Sequence, residues 1–297
     1  MKNFLNILRI FVLFFILAPF VVAAFNVERI TVPMRGDFVL QPAKIEVSLL
    51  PDASAEREIF VTNRMGATGV FSLSVEDFAA SDNPDEGAVL QKSSGFSNFI
   101  SYSKEQFTLS HGERARIPVK VFVPNKTEPG EIFGALLVSG ALSDRAGGAA
   151  KITSRVGALF FVKVTGDIVE RGELLNFSVQ SKSARILFKN TGTVHINPYG
   201  VIEIKNIFGK IKKTVLIDPW FVLPDSTRAR NIKIGSGLQW GRYTATILLN
   251  RGYNNIIDSK SAVFWVLPPL RTLVWLVLAP LLVLFAIFML FRYKRAL

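Results

Sequence analysis

The sequence predicts an all-β protein made of two tandem immunoglobulin-like β-sandwiches, with an N-terminal signal peptide and one C-terminal transmembrane helix. Three observations support this fold class. Of the 297 residues, 49% are hydrophobic, and the longest apolar runs lie at the two ends. Between them the apolar segments are short, rich in Val, Ile, Phe and Leu, and closed by Gly, Pro, Asn or Asp. No long helical periodicity interrupts this pattern.

The first element, residues 1–24, has the pattern of an export signal. Lys2 and Arg9 precede an apolar run over residues 10–20, and Val22-Ala23-Ala24 supplies the small residues that a signal peptidase requires. We expect cleavage after Ala24. An uncleaved membrane anchor is the alternative.

The first sandwich is predicted over residues 25–167. In Ile117–Val123 the odd-numbered side chains share one face, so this strand is expected to bury one side, and Pro118 indicates an edge position or the strand start. The predicted strands are 29–33, 44–49, 57–62, 69–75, 107–109, 116–123, 132–139 and 157–164.

The second sandwich is predicted over residues 168–268 and repeats the same pattern, with a junction around residues 166–172. Asn190-Thr-Gly192 and Pro224-Asp225 are examples of its turns. Short strands at this spacing are typical of immunoglobulin-like sandwiches. The predicted strands are 174–179, 184–188, 201–204, 214–217, 229–234, 243–249 and 262–266.

The last predicted elements are a transmembrane helix over residues 270–291 and a basic cytoplasmic tail over residues 292–297. The 20 residues 272–291 carry no charge and would span about 30 Å as a helix. Trp265 and Trp275 near its outer end fit an aromatic belt, and the tail fits the positive-inside rule. The prediction is a single-pass type I plasma-membrane protein with most of the chain extracellular.

Few residues suit catalysis. The absence of cysteine excludes disulfides and thiolate chemistry and favours a bacterial or archaeal envelope protein. His111 and His195 fall in different predicted domains, and no nucleophile, phosphate-binding or zinc motif is present. We therefore predict no enzyme activity, no cofactor and no metal site.

Two short motifs have two interpretations each. The acidic loop 82–87 is either a Ca²⁺ site or a solvated hairpin tip. Arg35-Gly-Asp37 is either an integrin-type tripeptide or a plain turn.

Charge is uneven along the chain. The net charge is +12, and residues 168–268 contain 14 basic and 6 acidic residues. Such a surface would attract anionic lipid or wall polymer, although solvated strand faces give the same pattern. Nucleic acid is disfavoured because this region is predicted outside the cell. The candidate contacts are Lys205, Lys210, Lys212, Lys213, Arg228, Arg230 and Lys233.

Three aromatic residues of the same region, Trp220, Phe221 and Trp240, are candidate anchors for a protein partner. Because they are embedded in strand-like runs, packing into the core is the alternative.

Several stretches carry a resemblance to a known family. In the first half these are 30–33, 59–63, 107–113, 117–124 and 129–135; in the second half they are 188–192, 204–209, 222–226, 241–245 and 264–268. With this domain order the chain resembles the WxL-interacting protein family of bacterial cell surfaces. The resemblance implies two non-catalytic domains that bind peptidoglycan and surface proteins. Met34-Arg-Gly-Asp37 departs from the family's aromatic-rich start, which weakens the peptidoglycan expectation.

Two functions therefore remain open. The first is a membrane-anchored surface-binding or scaffold protein that contacts cell-wall polymer or another surface protein. The alternative is an extracytoplasmic chaperone or assembly factor that uses a sandwich edge to hold surface-protein subunits.

Overall fold

The structure is a computed structural model that describes residues 24–92, 95–142, 154–180 and 183–296. Apart from Ala24, the predicted signal peptide lies outside the described residues. The chain divides into two compact units. The first comprises residues up to Phe78 and Leu90–Gly166, and the second comprises Ala79–Val89 and the residues from Asp167 onward. Ala79–Val89, which the sequence places in the first domain, thus belongs to the second unit.

The first unit is built from two sheets. One has the strand order β1-β9-β4-β2, with β7 also paired to β9; the other has the order β3-β11-β10-β5-β6, with β8 also paired to β5. A short 3-10 helix, Gly95–Phe99, precedes β7. The strands are β1 (Asn26–Arg29), β2 (Asp37–Gln41), β3 (Lys44–Leu49), β4 (Ser54–Arg64), β5 (Gly69–Ala79), β6 (Val89–Gln91), β7 (Ile100–Tyr102), β8 (Gln106–Leu109), β9 (Glu113–Phe122), β10 (Gly130–Leu142) and β11 (Ser154–Val164).

The core of this unit lies between its two sheets. On β9, Ile117, Val119 and Val121 are fully buried, because alternate residues of a strand share one face. They meet Phe160 from β11 and Phe71 from β5 in one hydrophobic cluster. This arrangement confirms the sandwich predicted for this part of the chain.

Pro118 lies in the middle of β9, not at a strand start. On one side of β9 the strand β4 pairs through this position, with Glu58 opposite Pro118. On the other side β1 pairs with β9 only as far as Arg116, and β7 pairs with it only from Val119 onward. Pro118 therefore sits where neither short strand needs its missing N–H.

The second unit also contains two sheets. A three-stranded sheet has the order β12-β13-β16, and a four-stranded sheet has the order β15-β14-β17-β18. Their shared core includes Phe188, Ile202 and Ile247. The strands are β12 (Gly172–Val179), β13 (Ser183–Asn190), β14 (Tyr199–Asn206), β15 (Ile211–Ile217), β16 (Ser226–Lys233), β17 (Gly241–Asn250) and β18 (Ile257–Val266).

A buried asparagine recurs in both units. Asn63 donates through Nδ2 to the carbonyl oxygens of Ala67 and Leu109, at 2.9 and 2.7 Å. Asn190 does the same to Val194 and Val222, at 2.8 and 2.9 Å. Both side chains are fully buried. Each amide therefore joins a turn to a neighbouring segment inside the core, where an unpaired polar group would be costly.

The chain continues from β18 into a helix, α1 (Leu270–Ala296), which contains Pro280. The helix predicted at this position is confirmed. The predicted membrane span is not: among the described residues, no helix has the combination of length and apolarity that a bilayer crossing requires.

Candidate functional site

The edge of β11 is open along part of its length. β11 pairs with β10 over residues 154–164, but β3 flanks its other side only from Leu159 onward. Among the described residues no strand pairs with Ser154–Ala158 on that side. Five residues of β11 therefore extend beyond β3 as an unprotected sheet edge.

The backbone direction of this open segment follows from its neighbours. The N–H of Leu159 donates to the carbonyl of Ala43 at 2.9 Å, toward β3. Because alternate strand residues direct their backbone groups to the same side, the N–H and C=O groups of Arg155 and Gly157 face the open side. An incoming extended segment would find unpaired donors and acceptors there.

The side chains of the same segment leave one apolar position exposed. Ala158 and Phe160 are buried in the core, whereas Val156, on the same face, is 38% exposed. The guanidinium of Arg155 bonds Glu76 Oε1 at 2.5 Å and Ser74 Oγ at 3.3 Å, which holds its side chain over β5. The apolar face of β11 thus continues into an uncovered region.

The predicted basic residues fall on two different sheets of the second unit. Lys205 ends β14, Lys210 lies in the following turn, and Lys212 and Lys213 lie on β15. Arg228, Arg230 and Lys233 lie on β16 in the other sheet. The sequence grouped them as one candidate surface, but no common anion site follows from their strand positions.

Arg228 has a structural role. Its guanidinium stacks 4.2 Å from the centroid of the Phe221 ring and donates to the Phe221 carbonyl at 2.5 Å. Burial, and then the charge of Arg230, lower the pKa of Arg228. Arg230 Nε is buried without a hydrogen-bond partner among the described residues. Half-buried guanidinium groups of this kind are not free contacts for a polymer.

The three aromatic candidates differ in how far they are exposed. Trp220 is 4% exposed and packs edge-to-face on Phe188, with ring centroids 6.4 Å apart; it belongs to the core and is not an exposed anchor. Phe221 lies partly buried under Arg228. Trp240 is 55% exposed and is the candidate of the three that remains accessible.

The acidic loop forms a contact that the sequence did not predict. Within the second unit, Arg185 makes a bidentate ion pair with Asp85, whose second oxygen lies 2.8 Å from Nη2. Asn231 donates to the same carboxylate at 3.3 Å, and the N–H of Ala229 donates to the Pro84 carbonyl at 2.7 Å. The hydrogen bond from Arg185 is the main cause that lowers the pKa of Asp85.

This contact bears on the interpretation of the loop. Asp85 is exposed to solvent, as expected of a hairpin tip, and its carboxylate is paired with Arg185. No group of three His, Asp or Glu side chains suited to a metal occurs in the part of the chain that the structure describes. Asp37 of the Arg-Gly-Asp tripeptide is likewise bound by Arg64, at 2.9 and 2.7 Å; Gly36 forms a bend, and Asp37 is the first residue of β2.

The two histidines occupy separate units. His111 accepts a hydrogen bond from the Gly66 N–H at 3.3 Å, and His195 lies 3.2 Å from the side-chain amide of Asn197.

Comparisons with known proteins give fold likenesses only. No family model and no curated protein matches the chain, and the resemblance to the WxL-interacting family stays a prediction. Among solved structures, the class 5 fimbriae chaperone CfaA is similar at 12% identity and a TM-score of 0.41, covering 78% of this chain and 100% of that one.

Two further structures are similar at the same level. The Escherichia coli chaperone DraB matches at 13% identity and a TM-score of 0.38, over 78% of this chain and 97% of that one. A chain of the CsuC–CsuE chaperone–tip adhesion subunit complex of Acinetobacter baumannii matches at 13% identity and a TM-score of 0.40, over 76% of this chain and 98% of that one. Likenesses this distant carry no conclusion about function.

Proposed function

We propose that this protein is an extracytoplasmic assembly factor that holds an extended segment of a surface protein by strand addition to β11. It is the second of the two functions that the sequence leaves open. The observation that supports it is the open edge at Ser154–Ala158, the part of β11 that precedes the start of β3.

Strand addition suits the chemistry of this edge. A segment added beside β11 would pair with the outward N–H and C=O groups of Arg155 and Gly157, which gives affinity without sequence specificity. Its alternate apolar side chains would cover Val156, which is 38% exposed, and so extend the core of the sandwich. A client that has not yet completed its own sheet offers such a segment.

A non-catalytic role and a position outside the cytoplasm are part of the same proposal. The sequence motifs of an export signal support the position, and the lack of a nucleophile, phosphate-binding or zinc motif in the sequence supports the lack of catalysis. The proposed partner is a surface protein. The part of it that binds is an extended segment, since a sheet edge recognises extended polypeptide.

The test uses two substitutions at one position. Arg155→Pro removes the outward N–H and leaves the hydrogen bonds between β10 and β11, because Arg155 directs its backbone groups to the open side. Arg155→Ala is the matched control, since it also removes the ion pair with Glu76 but keeps the N–H. Binding of a labelled peptide with alternating Val and Thr residues is measured by fluorescence anisotropy.

We expect Arg155→Pro to weaken peptide binding about tenfold, corresponding to one lost hydrogen bond of about 1.4 kcal/mol, and Arg155→Ala to bind like the unsubstituted chain. Equal binding by both variants would contradict the proposal. In the host, deleting the protein should reduce the amount of a surface protein made with it; an adhesin or scaffold would leave that amount unchanged.

A further inference from the structure

We propose that one end of the second unit binds the surface of an anionic lipid bilayer. This end, named here the basic-aromatic end, consists of the β14–β15 turn, the loop after β16, the start of β17 and the end of β18. Its residues are Lys205, Ile207, Phe208, Lys210, Lys212, Lys213, the loop 235–238, Trp240, Arg242, Trp265 and Leu267.

Strand register places these segments together. Asn206, at the end of β14, lies opposite Tyr243, near the start of β17. Arg242 lies opposite Trp265, at the end of β18. Lys213 Nζ donates to the Ser236 carbonyl at 3.1 Å, which joins β15 to the loop after β16. The loop 235–238 and residues 265–267 line one open cleft of about 300 Å³.

Apolar side chains protrude from this end. Phe208 is 85% exposed and Ile207 64% exposed at the tip of the β14–β15 turn. The tip is preformed, because Asn206 Oδ1 accepts from the N–H groups of Phe208 and Lys210 at 3.1 and 2.9 Å. Exposed apolar side chains grouped in this way indicate an interaction surface.

Tryptophans reinforce the apolar character. Trp240 is 55% exposed and Trp265 60% exposed, and Leu267 beside the cleft is 71% exposed. Tryptophan prefers the level of lipid headgroups, where its ring is partly apolar and its N–H can find a polar partner.

The charges around these side chains have one sign. Residues 204–217, 231–249 and 259–273 contain no Asp or Glu. Glu203 pairs with Lys205 at 3.1 Å, whereas Lys210 and Lys212 lie exposed beside the tip. A cationic rim around an apolar tip matches an anionic bilayer, because the headgroups attract the lysines and the acyl region takes up the apolar side chains. An anionic wall polymer would use the lysines but would leave Phe208, Ile207 and Leu267 in water.

The experiment measures binding of the full chain to two kinds of vesicle, one of phosphatidylcholine alone and one of phosphatidylcholine mixed with phosphatidylglycerol. The readout is the ratio of the two affinities, which cancels any contribution from the rest of the chain that is independent of lipid charge. The test variant is Lys210→Gln with Lys212→Gln. Its matched control is Lys120→Gln with Lys126→Gln, two exposed lysines of the first unit.

We expect the unsubstituted chain to prefer the anionic vesicles and to lose that preference in high salt. The test pair should lower the ratio about fivefold for each lysine removed, since each contributes about 1 kcal/mol near such a surface. The control pair should leave the ratio unchanged. Phe208→Ser should weaken binding to both vesicles more than Leu50→Ser, a change at an exposed apolar residue of the first unit, 65% exposed.

If a lysine or Phe208 variant folds poorly, tryptophan quenching by brominated lipid provides a second measurement of membrane contact. Brominated lipid should quench the fluorescence of Trp240 and Trp265 in the unsubstituted chain, and Trp240→Phe should reduce the quenched fraction. Equal affinity for the two vesicles, or an equal effect of the test and control pairs, would overturn the proposal. Retention on isolated anionic wall polymer without a preference for anionic vesicles would overturn it as well.

Discussion

Replacement of Asn190 by alanine should destabilise the second unit far more than replacement of Asn250. Both side chains accept a hydrogen bond from the glycine N–H two residues later, Gly192 and Gly252, at 2.8 Å each. Asn190 is fully buried and also donates to the carbonyls of Val194 and Val222. Asn250 therefore serves as a control that shares the local turn but lacks these two donations.

The expected magnitudes follow from these bonds. Asn190→Ala loses three hydrogen bonds at about 1 kcal/mol each, so the free energy of unfolding should fall by about 3 kcal/mol. Asn250→Ala loses one bond and should cost at most about 1 kcal/mol. Asn63→Ala should behave like Asn190→Ala in the first unit, since it loses the two donations and the bond from the Met65 N–H at 2.8 Å.

The assay is urea unfolding followed by tryptophan fluorescence. Trp220 is 4% exposed in the core of the second unit, so its emission reports unfolding of that unit. The first unit contains no tryptophan, so the unfolding of its variants is followed by far-UV circular dichroism. Equal shifts of the midpoint for Asn190→Ala and Asn250→Ala, at unchanged slope, would refute the role assigned to the two buried donations.

Three further predictions concern packing and charge. Phe160→Ala should lower the free energy of unfolding of the first unit by about 3–5 kcal/mol, measured by urea unfolding, because the ring is fully buried. Gly134→Ala should destabilise by about 1–3 kcal/mol in the same assay, since its Cβ would lie 1.9 Å from the buried ring of Phe96; a smaller effect would mean that the ring can move. Because the folded-state pKa of Asp85 is lowered, its stabilising pair with Arg185 should be present above the unfolded pKa and be lost as the pH falls through the folded one. A double-mutant cycle of Asp85→Asn with Arg185→Gln, in low and high salt and at both ends of that window, checks this, and a coupling that persists in acid would contradict it.

Strand positions were predictable because alternation and turn residues are local signals. Lys44–Leu49 was predicted with the bounds that the structure has, and each predicted strand overlaps an observed one, the first only at Arg29. That strand was predicted at 29–33 and is observed at Asn26–Arg29, since pairing with β9 decides its register. β2 was missed because the bend at Gly36 before it and Pro42 after it leave only a short apolar run.

Contacts between distant segments were not predictable in this way. Asp85 and Arg185 are 100 residues apart, and neither carries a local signal of its partner. The open edge of β11 depends on where β3 begins beside it, and alternation predicts that a strand exists but not which strand lies next to it. Periodicity therefore predicted the strands but not the edge that supports the proposed function.

The excess of basic residues in the second unit has two separate structural origins. Arg185 and Arg228 are engaged within the unit, one by the carboxylate of Asp85 and the other by the ring and carbonyl of Phe221. Lys210 and Lys212 lie exposed beside an apolar turn whose conformation Asn206 holds. Guanidinium groups suit the first role, since they stack and bind in bidentate geometry, whereas lysines keep their charge hydrated. A uniform count of positive charge would merge the two sets; Arg185 is exposed but paired with Asp85, and Arg228 is partly buried against Phe221, whereas Lys210 and Lys212 present exposed charge to an external anionic surface.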